Sequence, residues 1–140
     1  MLGLIHCMTI ALKGSLMSIP SLFFRTAVLL GLVGMLFGVF MGVNQDFRLA
    51  HFHAHWNLLG WVAFFIYGAF YALAPAARVG VLPKLHYALS LLGLAIFMTG
   101  LYGIAMDTAM ALPAFAAIGS LIMVAGFLVF AWIVFRTRFA

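Results

Sequence analysis

Acidic side chains are almost absent from this chain of 140 residues: Asp46 and Asp107 are its only two. Charge of either sign is scarce, at 6% of residues, against about a quarter in a soluble globular domain. That shortage excludes a soluble fold, a disordered chain and a nucleic-acid-binding protein. The seven Lys and Arg residues give a formal charge of +5. They are scattered, so they report membrane topology rather than an anionic partner. Cysteine occurs once, at Cys7, which excludes a disulfide framework and a cysteine-ligated zinc. With no Cys-x-x-Cys-His, a covalently attached c-type haem is excluded as well.

What fills the chain is apolar: 68% of residues, with a mean hydropathy of +1.27. An apolar helix crosses a bilayer with about 20 residues. The chain therefore has room for four spans and for no soluble catalytic domain. The spans are expected at 21–43, 52–73, 83–106 and 111–135, in a single membrane domain over 20–140. The fold class is all-α, a four-helix transmembrane bundle. Residues 1–19 read as a short leader or an over-long start, with Met17 as the alternative first residue. Pro83 and Pro113 fall in or near first turns, where a missing N–H costs nothing. The loops are short, so neighbouring helices should be antiparallel.

Lys13, Arg25, Arg78, Lys84, Arg136 and Arg138 all fall on one side of this topology. Arg48 and both acids fall on the other. The positive-inside rule then makes both termini cytoplasmic. Gly34, Gly38 and Gly42 form a stripe that allows another helix, of unspecified identity, to approach closely.

One segment is densely polar: Arg48-Leu-Ala-His51-Phe-His53-Ala-His55-Trp-Asn57, at the outer end of span two. Histidines at membrane depth are costly and usually functional. His51 and His55 share a helix face, and His53 points about 200° away from His51. A single metal can take His51 and His55 as an i, i+4 pair. A site using all three on one ion would need the helix to unwind.

Two chemistries suit imidazoles that have no thiolates or clustered carboxylates beside them. One is haem iron with axial histidines. The other is copper or zinc, with Asp46 or a neighbouring protomer completing the ligands. His86 is expected near the inner face, about 30 Å from His55 along the helix, too far to share an ion with it in one protomer. Arg48, one turn before His51, is a candidate partner for haem propionates. Phe52, Trp56, Trp61, Phe64, Phe65 and Tyr67 offer aromatic walls, although Trp56 and Trp61 equally suit interfacial anchoring. Asn57 is a candidate for a hydrogen bond across helices.

At this cluster the sequence resembles subunit I of the haem-copper oxidases and nitric oxide reductases. His55-Trp56-Asn57-Leu58-Leu59 looks like the His-x-Asn stretch on that subunit's second helix, whose histidine ligates the low-spin haem in one branch of the oxidases and in the reductases. Ala50-His51-Phe52-His53 looks like the His-Phe-His stretch on its tenth helix, where one histidine serves the high-spin haem and the other the low-spin haem. Pro83-Lys84-Leu85-His86-Tyr87 is similar to a Leu-His-Phe-Trp helix start in the same superfamily. The chain also resembles small four-span proteins described as oxidase-subunit-I-like, over residues 20–135. Its core from His53 to Trp61 reads His-Ala-His-Trp-Asn-Leu-Leu-Gly-Trp.

The resemblance implies haem b held by His55 and His53, with His51 in reserve, and an electron-transfer or gas-ligand role at the outer face. It also implies a homotrimer, because subunit I has twelve helices in three pseudo-repeats of four. In such a trimer His55 of one protomer would face His53 of the next. The superfamily's copper site needs an adjacent His-His pair, which this chain lacks, and no acid or lysine is set at membrane depth. Proton-pumping oxygen reduction is therefore not expected, and whether the chain is an enzyme stays open. The expected surroundings are a bacterial cytoplasmic (inner) membrane and its lipid, with a redox partner on the outer side. The alternative readings are a copper- or zinc-binding membrane protein using the same histidines, and an accessory subunit of a respiratory complex.

Overall fold

A computed structural model describes residues 18–108 and 113–138. The expected leader lies outside them, apart from the residues that open the first helix. Four helices long and apolar enough to cross a membrane follow in order: α1 (Ile19–Asn44), α2 (Ala50–Leu73), α3 (Leu82–Ala105) and α4 (Pro113–Arg136). Ser18 opens α1 as its N-cap, its hydroxyl accepting from the Ser21 N–H at 3.4 Å, and Pro20 sits in the first turn. Pro20 thus belongs to the start of the first span.

Inside α2 the backbone changes winding. Ala50–His55 is α-helical, Trp56–Val62 is a π-helix, and Ala63–Leu73 is α-helical again. The Ala63 N–H reaches five residues back, to the Leu58 carbonyl. The widened turns begin directly after His55. Nothing in the sequence signals this, although such segments occur often at functional sites.

The helices pack as two antiparallel hairpins, α1 with α2 and α3 with α4. Missing side chains allow the close approach in both. Across the first hairpin, Gly31 faces Trp61, Gly34 faces Asn57 and Gly38 faces His53. A Cβ at Gly34 would stand 2.9 Å from Asn57 Cγ, and one at Gly38 would stand 2.9 Å from His53 Cε1. Gly42 meets nothing within 4 Å, so the packing stripe is Gly31/Gly34/Gly38 rather than the expected Gly34/Gly38/Gly42. Across the second hairpin, Gly93 lies against Met123, Gly100 against Ala116, and Gly119 against Phe97.

The hairpins meet in an aromatic knot at the end that carries Arg78, Lys84 and Arg136. Phe23, Phe64, Tyr71 and His86 are wholly buried there, and Tyr67 and Phe130 pack on them. Phe23 of α1 stacks on Tyr71 of α2 with ring centroids 5.6 Å apart, and His86 of α3 stacks on Phe130 of α4 at 4.9 Å. The hydroxyls of Thr26 and Tyr87 join α1 to α3 at 2.8 Å. Toward the other end an apolar cleft of about 430 Å³ lies between the hairpins, lined among others by Leu30, Phe52, Trp56, Leu94, Met98 and Tyr102.

Candidate functional site

The histidine cluster is reached through a short turn. Gln45 ends α1 in the left-handed region, at φ 51°. Asp46 then pairs with Arg48, its Oδ2 2.6 Å from Nη2, and Nε donates to both carboxylate oxygens. The hydrogen bonds from Arg48 lower the Asp46 carboxyl to about 2, and the carboxylate raises Arg48 in turn. Both groups face solvent, so the pair adds little stability. It does occupy the Nε and Nη2 edge of the guanidinium expected to serve a propionate.

His51, exposed on the first turn of α2, contributes its backbone carbonyl to the cluster. His55 Nδ1 lies 2.8 Å from that oxygen. A carbonyl can only accept, so Nδ1 is the donor, and in the neutral imidazole the lone pair lies on Nε2. This is the arrangement found in metal-ligating histidines, where a backbone acceptor fixes tautomer and ring orientation. The ring meets Phe97 of α3 edge-on, with centroids 5.5 Å apart.

His53 faces the opposite way, toward α1. Its ring lies against Gly38 and 6.1 Å from the Phe37 centroid. Asn57 Nδ2 is 3.3 Å from both ring nitrogens, so the amide lies over the ring face, and it donates to the His53 carbonyl at 2.9 Å. Asn57 therefore bonds within its own helix rather than across helices, while its bulk fills the notch at Gly34. The group that does cross is the Trp56 indole, which donates to the Leu30 carbonyl at 2.8 Å.

His53 and His55 thus address different neighbours, α1 and α3, and cannot share one ion within a chain. Among the described residues no three His, Cys, Asp or Glu side chains gather in metal-binding geometry. His86 belongs to the knot at the far end. It shares a hydrogen bond of 3.1 Å with the Tyr71 hydroxyl through Nδ1, and its buried Nε2 has no partner among the described residues. Tyr71 lies about 24 Å along α2 from His55 at 1.5 Å per residue.

Of the six expected wall residues, only Phe52 and Trp56 stand near the histidines, where they stack on each other and line the cleft. Trp61 packs on Gly31, Phe64 and Tyr67 belong to the knot, and Phe65 is exposed. Sequence reasoning missed Phe97, Gly31 and the α3/α4 glycines. The last were legible: Gly93 with Gly100, and Gly119 with Gly126, each repeat at seven residues, two helical turns on one face.

These features define a membrane-integral, all-helical protein with a histidine cluster at one end. No family model, curated protein or solved structure matches the chain.

Proposed function

We propose that the chain binds haem b at the histidine end of the bundle and serves in electron transfer or gas-ligand binding. The observation that carries this reading is the hydrogen bond from His55 Nδ1 to the His51 carbonyl, which orients the ring and leaves Nε2 as the ligating nitrogen of the neutral imidazole. The donor chemistry fits haem iron, and the neighbouring apolar cleft with Phe52 and Trp56 fits a macrocycle edge. Bound haem would supply a one-electron ferric/ferrous couple, or an open axial position for a gas.

His55 is the first ligand. His53 is the second, and its opposite direction means that it completes the coordination of a neighbouring copy's haem. The closed ring such pairing favours is a homotrimer. His51 holds His55 through its carbonyl and stays in reserve as a ligand. Arg48 reaches a propionate through Nη1, which Asp46 does not engage, or offers its full fork by releasing Asp46. The histidine end faces the outer side of a bacterial cytoplasmic membrane, where a redox partner would dock, with both termini inside. His86, enclosed by aromatic rings, has a structural role in this reading.

A second reading, copper or zinc binding, draws on exposed His51 standing one turn from His55 on the same face. The deciding measurement is an optical spectrum of the detergent-purified chain, oxidised and dithionite-reduced, with metal analysis of the same sample. A Soret band with sharp reduced α and β bands is expected, and His55→Ala should abolish or shift it. Stoichiometric copper or zinc without a Soret band would overturn the haem reading and favour the second. A spectrum unchanged in His55→Ala would remove His55 as the ligand.

A further inference from the structure

At the end of the bundle opposite the histidines, a groove of about 490 Å³ runs between the start of α3 and the end of α4. Its volume is within the range of about 300–1,000 Å³ usual for small-ligand sites. Pro83 and Ile133 form an apolar floor, and Arg136, Thr137 and Arg138 form a polar rim. Trp132 stands in the wall, with the Arg136 guanidinium 4.9 Å over its ring.

Among the described residues no group of opposite charge answers this rim. The two acidic side chains of the sequence, Asp46 and Asp107, both lie in the turns at the other end. The nearby Arg78 is already engaged, its Nε donating to the Tyr71 carbonyl at 2.6 Å and its Nη2 to the Ala72 carbonyl at 2.7 Å. Arg136 and Arg138 have no such carbonyls and make no ion pair among the described residues. A groove with a greasy floor, two uncompensated guanidiniums at its mouth and an aromatic side chain at headgroup level has the polarity profile of a phospholipid. Guanidinium forks match phosphate oxygens two at a time.

We infer that this groove binds an anionic phospholipid, with its phosphate on Arg136 and Arg138 and the start of its acyl chains on Pro83 and Ile133. The site is independent of the haem reading.

Trp132 provides the readout. The full chain is reconstituted in phosphatidylcholine vesicles containing a minor fraction of either brominated phosphatidylglycerol or brominated phosphatidylcholine. Quenching of tryptophan fluorescence is followed, with Trp132→Phe defining the background from Trp56 and Trp61. A basic side chain at an anionic surface favours association by about fivefold, so a preference of about fivefold or more for phosphatidylglycerol is expected at Trp132. The double variant R136Q/R138Q should reduce it to near unity, R136K/R138K should retain most of it, and Arg25→Gln, on another face, should leave it unchanged. Equal quenching by the two lipids in the unmodified chain would overturn the proposal. So would a preference that survives R136Q/R138Q, or one that Arg25→Gln reduces just as much, since both indicate diffuse surface charge. Loss of the preference in excess inorganic phosphate would assign the groove to a soluble anion instead. If R136Q/R138Q does not fold, the lipid ratio, the Arg25→Gln control and the phosphate competition still decide.

Discussion

The indole N–H of Trp56 crosses from α2 to donate to the Leu30 carbonyl of α1 at 2.8 Å, one residue beyond His55 and where the π-helical turns begin. This bond fixes the rotation of α2 about its own axis at the point that sets which way His55 faces. Trp56→Phe keeps most of the ring contact with Phe52 and removes the donor. Membrane hydrogen bonds of this kind average about 0.6 kcal/mol, so a loss of that order is expected in unfolding from mixed micelles. The same variant should broaden or shift any haem spectrum more than its small stability loss implies. An unchanged spectrum would show that the bond does not orient His55.

The glycines of the first hairpin should differ sharply in tolerance. Gly34→Val drives a branched side chain into Asn57, and overpacking of this kind costs about 1–3 kcal/mol. Gly42→Ala enters open space and should be neutral. A thermal-shift comparison of the two variants checks this, and equal losses would contradict the helix register.

His86 separates a structural from a ligating role. His86→Phe keeps a ring against Phe130 and removes the unpartnered Nε2, but it strands the buried Tyr71 hydroxyl that His86 Nδ1 partners at 3.1 Å, so a loss of about 1–3 kcal/mol is expected. His86→Ala leaves a cavity among the aromatic rings and should cost about 2–4 kcal/mol. The haem spectrum of His86→Phe should match that of the unmodified chain. Loss of haem in that variant, with folding intact, would make His86 a ligand.

The loop pair gives a test by pH. Arg48 depresses the Asp46 carboxyl, so the contact is intact at and above ordinary carboxylate values and is lost as pH falls through about 2. Carboxyl-resolved NMR should place the Asp46 midpoint near 2 and return it toward 3.8 in Arg48→Gln. A midpoint near 3.8 in the unmodified chain would mean that Arg48 is free to serve another anion.

Much of the architecture was legible in the residues. Hydropathy alone located the four helices, because a bilayer-crossing helix needs a long apolar run and little else. Helical periodicity alone separated His53 from His55, and the structure turns them toward α1 and α3. The remaining features depend on packing. The switch to π-helical winding at Trp56 has no sequence signal, so the contacts of Asn57 and Trp61 could not be foreseen. Gly31 replaced Gly42 in the stripe because a helix crossing selects the glycines that meet a partner, and spacing alone does not locate that crossing. The pairing of Arg48 with Asp46 rests on a turn geometry that hydropathy does not describe.

The aromatic knot has a mechanical consequence. It joins all four helices through one set of packed rings, Phe23 on Tyr71 and His86 on Phe130, whereas at the histidine end the hairpins touch through Phe52 on Tyr102 and His55 on Phe97. The load that holds the hairpins together is therefore unevenly shared: loss of one ring from the knot loosens several helices at once, while a change at Phe97 or Tyr102 loosens a single edge contact.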